Sequence, residues 1–169
     1  MNSISRSKAA KLASQFFGTG RYKNTADRNG YCTYSAWDEQ GREWKFQKDV
    51  SIAGIDSEKC EMVTPILNYS DIETLQELVR ILRKAGAKSD STRGCGVHIH
   101  IGAKGHTAKT LRNLANIMAS HEQLLIDALN LDEVRIRRYC KTVDPRFLEQ
   151  VNRLSLIHIS EPTRLLSIS

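Results

Sequence analysis

Gly94-Cys-Gly-Val-His98-Ile-His100-Ile-Gly102 sets two imidazoles two residues apart in an apolar run with a glycine at each end. In an extended chain successive side chains alternate faces, so His98 and His100 share one face and Val97, Ile99 and Ile101 the other. The pattern predicts a β-strand with its aliphatic face in a core. Its paired imidazole face is of the kind that binds metal ions or phosphates. The competing reading is packing or hydrogen bonding within a sheet. Gly94, Gly96 and Gly102 favour a ligand, because glycine lets a backbone turn tightly or approach a bound group closely.

Two further stretches carry candidate groups. Trp44-Lys-Phe-Gln-Lys-Asp49-Val-Ser51 ends a strand with an acid and a hydroxyl, and Lys59-Cys-Glu61-Met-Val-Thr-Pro65 sets one carboxylate among apolar neighbours. Along the second stretch Cys60 and Met62 share one face, and Glu61 and Val63 the other. A core on the Cys60 side turns Glu61 toward the open side of the sheet. An ordinary surface carboxylate is the alternative. Other His-x-His architectures fit less well. A TIM-barrel hydrolase would carry the pair on an early strand of a chain of about 250 residues. A cupin would need a glutamate shortly after the pair, where this chain has Ala103, Lys104 and Gly105.

The elements that must position these groups follow from periodicity. Ala9, Leu12, Ala13, Phe16 and Phe17 recur at helical spacing over Ser5 to Phe17, with Ser5 or Ser7 as cap and Gly18 and Gly20 as the stop. Tyr31 to Trp37 and Glu43 to Lys48 read as a β-hairpin across Asp38-Glu-Gln-Gly41, and Lys59 to Val63 as a third strand. Ser70-Asp-Ile-Glu73 has the form of a capping box, followed by a helix burying Ile72, Leu75, Leu78, Val79 and Leu82 and ending at Gly86. After the histidine strand, Thr107 opens a helix with Leu111, Leu114, Ile117, Met118, Leu124, Leu125 and Leu129 as its stripe. A last helix is expected from Pro145 to Arg153. The order predicts an α+β domain with a mainly antiparallel sheet.

With 169 residues the chain has enough length for one domain with a real core. A net charge of +6 favours an anionic partner such as a nucleotide or an acidic substrate, although a basic solvated surface explains it equally. Cys32, Cys60, Cys95 and Cys140 form no CxxC pair and no zinc-like spacing, which favours reduced thiols and a cytoplasmic location over disulfides. No apolar run reaches the length of a membrane span.

Taken together the pieces resemble the amidoligase family of glutamine-synthetase-like carboxylate–amine ligases. The stretches that carry the resemblance are "WKFQKDVSI", "KCEMVTPIL", "DIETLQELVRILRKAGAK", "GCGVHIHIGAKGHTAKTLRNLANIM" and "RRYCKTVDPRFLEQVNR", in order between Ser5 and Arg153. "GVHIH" is similar to the Gly-His-x-His strand of glutamine synthetases. The resemblance implies a curved, mainly antiparallel sheet with helices on one face. It also implies ATP-dependent ligation, in which a carboxylate takes the γ-phosphate and an amine displaces phosphate from the acyl phosphate. By the family pattern Glu61 and His98 would be ligands of magnesium or manganese, and His100 would contact metal or ATP phosphate. Asp49 and Ser51 would line the substrate side. Arg135 and Arg138 would neutralise phosphate or carboxylate charge, with a basic solvated helix face as the alternative. The implied partners are small-molecule or peptide carboxylates and amines. Neither a membrane nor a specific nucleic acid is expected, and the oligomeric state is left open.

One departure stands out. The family opens with a strand bearing a Gly-x-Glu-x-Glu motif, whereas this chain opens Met1-Asn-Ser-Ile-Ser-Arg directly before the first helix. The expectation is an incomplete catalytic domain over residues 1–153, from a ligase parent but itself inactive. A non-enzymatic module binding anions or a protein is the alternative function. Leu154 to Ser169 resembles the translation of a transposase-type sequencing adapter, so this tail, His158 included, is expected to be non-native.

Overall fold

The computed structural model describes residues 1–26, 32–139 and 141–153. The tail from Leu154 with His158, and Tyr31 at the start of the expected hairpin, lie outside the described residues. The chain divides into two compact units, Met1–His98 and Ile99–Ser169.

In the first unit, helix α1 (Arg6–Phe16) begins where Ser5 accepts a hydrogen bond from the Lys8 amide at 3.2 Å. Its buried Ala9, Ala10 and Ala13 present no bulk, so the helix backbone lies close to the sheet. The sheet comprises β1 (Tyr22–Asn24), β2 (Tyr34–Trp37), β3 (Glu43–Gln47) and β4 (Glu61–Val63), antiparallel throughout and adjacent in chain order. Ala36 pairs with Trp44, and Phe46 with Met62, so one face presents Ala36, Trp44, Phe46 and Met62 to α1. Trp44 and Phe46 are completely buried, and the Phe17 and Trp44 rings pack at 5.1 Å between centroids. Fully burying a side chain of this size contributes about 1.5–3 kcal/mol, which makes these two aromatics the anchors of the unit. Helix α2 (Ile72–Lys84) adds Leu78 and Leu82 to the same core.

A polar network ties the β2–β3 hairpin to the start of α2. Asp38 Oδ1 accepts from the Gln40 and Arg42 amides at 3.1 and 2.8 Å, and its Oδ2 accepts from Arg42 Nε at 2.8 Å and Trp44 Nε1 at 3.0 Å. Arg42 also forks onto both oxygens of Asp71 at 2.9 and 3.0 Å. Burial pushes the Asp38 carboxyl upward, but the hydrogen bonds from Trp44 and Arg42 outweigh it and hold the group below its ordinary value. The Arg42 fork and the Asn68 amide lower Asp71 as well. At the other end of the sheet, Met1 and Cys60 exchange backbone hydrogen bonds at 2.8 and 3.0 Å, and Asn2 and Lys88 do so at 2.8 and 2.9 Å.

Several expectations are corrected. The capping box is Asn68 with Asp71 rather than Ser70 with Glu73, because a single 3-10 turn over Tyr69–Asp71 precedes α2 and moves the start of the ladder. Ile72 and Val79 are exposed, since only one stripe of α2 reaches the core. The histidine run forms no strand: among the described residues no strand pairs with 95–103, and Val97, Ile99 and Ile101 are 83, 82 and 83% exposed. Alternating side chains suit any extended chain, whereas a strand also needs a neighbour to take its N–H and C=O groups. The pattern does not encode that neighbour. Strand β1 was not anticipated.

The second unit contains α3 (Ala108–Ala128), α4 (Glu133–Arg138) and α5 (Pro145–Arg153). Thr107 caps α3 by accepting from the Thr110 amide at 3.2 Å. Asn116 of α3 and Asn152 of α5 exchange amide hydrogen bonds at 2.9 and 3.1 Å. The expected stripe of α3, from Leu111 to Leu129, is exposed rather than buried.

Candidate functional site

The sheet has one apolar and one polar face, and the polar face holds the first candidate. The pairing of Gln47 with Glu61, and of Lys45 with Val63, puts these four on the side away from α1, together with Ser35 and Glu43. Gln47 Nε2 donates to Glu61 Oε2 at 2.9 Å, which fixes the carboxylate against its neighbour strand. Further along, Ser35 Oγ donates to Glu43 Oε1 at 2.7 Å, so Thr25 Oγ1 donates to Ser35 Oγ at 2.5 Å. A groove of about 530 Å³ runs along this side, lined by Glu43, Lys45, Val63 and Ile66 among others. Behind Glu61 the buried Cys60 faces the core, where desolvation pushes its thiol up to about 12. The expectation that Cys60 turns inward and Glu61 outward holds.

Asp49 and Ser51 follow β3 and form a local hook. Asp49 Oδ1 accepts from the Ser51 amide at 2.8 Å and from Ser51 Oγ at 2.6 Å. Both are exposed or half-buried, and Ile52 beside them is buried. His98, exposed, ends the first unit. The remaining candidates belong to the second unit: exposed His100, and Arg135 and Arg138 on α4. The Arg135 guanidinium lies 5.1 Å from the centre of the Tyr139 ring, a cation–π contact. The structure thus brings Asp49 and Ser51 into contact and gives Glu61 a fixed partner. Among the described residues no three His, Cys, Asp or Glu side chains gather as a metal-holding set.

The chain matches, over residues 1–168, the family model described as "Putative amidoligase enzyme". The chain belongs to the amidoligase family. No curated protein and no solved structure matches it. Among the described residues of this amidoligase chain, no helix is long and apolar enough to cross a membrane.

Sequence reasoning missed two features of the amidoligase chain. Gln47 was not singled out, although it recurs on the same face as Glu43 and Lys45 and so had to lie beside whatever β4 presents there. Asp90-Ser-Thr92 was also passed over, although it repeats the Asp-x-hydroxyl pattern of Asp49-Val-Ser51.

Proposed function

We propose that this chain supplies part of an ATP-dependent carboxylate–amine ligase, which makes an amide through an acyl phosphate. The observation that carries the reading is Glu61, a carboxylate standing on the polar face of an antiparallel sheet and held there by Gln47, in a chain of the amidoligase family.

The donor types suit magnesium or manganese. Magnesium keeps several waters and is commonly held by one or two carboxylates with substrate phosphates, so a single fixed carboxylate fits it without a three-ligand protein set. When bound, such an ion supplies neutralisation of the charge on the transferring phosphoryl group. Glu61 and His98 would hold it, and His100 would meet metal or ATP phosphate. Asp49 and Ser51 would line the substrate side, with the Ser51 hydroxyl held by Asp49. Arg135 and Arg138 would offset phosphate or carboxylate charge through planar donor forks. The substrates are small-molecule or peptide carboxylates and amines, and the setting is the cytoplasm, where ATP is at hand.

The test is ADP release by protein expressed from its complete native reading frame, given MgATP and a panel of carboxylates and amines. ADP formation that requires both substrates supports the ligase. Anion binding without any ADP formation would replace it with the non-enzymatic module.

A further inference from the structure

The first unit contains the same hook twice. Asp90 Oδ1 accepts from the Thr92 amide at 2.9 Å and from Thr92 Oγ1 at 2.6 Å, as Asp49 Oδ1 does from Ser51 at 2.8 and 2.6 Å. The fold lays the two hooks against each other. The Ala53 amide donates to the Arg93 carbonyl at 2.8 Å. A Cβ placed on Gly94 would stand 2.6 Å from the Ser51 carbonyl oxygen, and 3.7 Å from the Ile52 Cα. Gly94 has φ +86°, so an L side chain there is strained as well as blocked. Ile52, 1% exposed, is locked in beside this contact. The obstructing atom is backbone, so it cannot swing away as a side chain would.

We propose that the Asp90–Gly94 turn is a positioning device for Asp49 and Ser51. It holds the amide of Ala53 through the Arg93 carbonyl and packs its backbone at Gly94 close against the Ser51 carbonyl. The first hook can then present its acid and hydroxyl in only one direction. Gly94 also opens the run that leads to His98, so one anchor serves both candidate elements. Asp90, Thr92 and Gly94 touch no substrate; they act through Asp49 and Ser51. The inference rests on the reading of those two as substrate-side groups in a ligase.

The test compares Gly94→Ala, Thr92→Val and Thr92→Ser in the full-reading-frame protein. Gly41→Ala is the control, because Gly41 has φ +76° but no atom within 4 Å of an added Cβ. Two readouts are taken: amide exchange at Ala53 and the steady-state kinetics of ADP release. Gly94→Ala and Thr92→Val are expected to speed Ala53 exchange at least tenfold. They should also raise KM for the carboxylate at least tenfold while leaving KM for ATP within twofold. Thr92→Ser, which keeps the hydroxyl, should restore both values, and Gly41→Ala should change neither. If Gly94→Ala gives no soluble protein, Thr92→Val decides, since it removes one exposed hydroxyl. Normal Ala53 exchange and normal carboxylate KM in both variants, with an active wild type, overturn the positioning role and leave the ligase standing. A wild type that releases no ADP fails the ligase reading first, and the substrate role of the hook falls with it.

Discussion

Gln47 and Glu61 face each other across β3 and β4, with Gln47 Nε2 donating to Glu61 Oε2 at 2.9 Å. An amide beside a carboxylate leaves the charge in place while restricting the side chain to one orientation. The cross-strand pair also helps to hold the register of the edge strand, at about 0.2–1 kcal/mol for such pairs.

Glu61→Gln separates charge from shape. The substituted amide keeps the length of the side chain and can still accept from Gln47. Thermal unfolding should therefore move by no more than a few degrees. ADP release by the full-reading-frame protein should fall at least a hundredfold. Retained turnover would remove Glu61 from the chemistry and leave it a surface carboxylate.

The Asp38–Arg42–Asp71 network sets the acid limb of stability. Both carboxyls lie below their ordinary values, Asp38 because hydrogen bonds overcome the effect of burial and Asp71 through the Arg42 fork. Groups with lowered folded values contribute stability that is fully present above the unfolded carboxylate range, about 3.9. That contribution is lost as pH falls through the folded values. Asp38→Asn should lower stability near neutral pH by about 1–3 kcal/mol, since it weakens hydrogen bonds to a buried group. It should also shrink the difference between urea midpoints at pH 7 and pH 3. Equal midpoint differences in the two proteins would show that the network does not govern acid unfolding.

Thiol chemistry gives a check on the face assignment of β4. The thiolate is the nucleophile. Cys60 is buried and its thiol is pushed up to about 12, whereas Cys32 is exposed. In the folded protein at pH 8, iodoacetamide should label Cys32 and spare Cys60, as read by peptide mass spectrometry. Urea should make Cys60 reactive. Rapid labelling of native Cys60 would mean that the Cys60 side is not the core, which would turn Glu61 inward.

The legible parts of the sequence were those in which one local rule suffices. Ser5 before an alanine-rich helical stripe, Trp44 and Phe46 alternating with charges, and Thr107 before α3 each carry their own structural reason. Glu61 was legible for the same reason, since the period of a strand fixes its face once Cys60 is inside. The rest depended on partners that spacing does not name. The twin hooks required a close approach between residues distant in sequence, visible in the Ala53–Arg93 hydrogen bond and in the approach of Gly94 to the Ser51 carbonyl. The capping residue moved from Ser70 to Asn68 because a 3-10 turn, which no residue type demanded, came first.

The histidine run yields the last prediction, because the structure and the sequence pattern disagree there. The pattern would bury Val97, Ile99 and Ile101, whereas the structure leaves them more than four-fifths exposed. In the 169-residue chain, Ile99→Asp should therefore alter stability by no more than about 0.5 kcal/mol, as at other surface positions. A buried isoleucine replaced by a charge would cost several times that. His98→Ala, also at an exposed position, should leave the same melting curve. In the full-reading-frame protein His98→Ala should lower ADP release at least tenfold with the fold kept. Loss of the cooperative transition on Ile99→Asp in residues 1–169 would show that the run is already packed in the chain as it stands, and would return the two histidines to a strand.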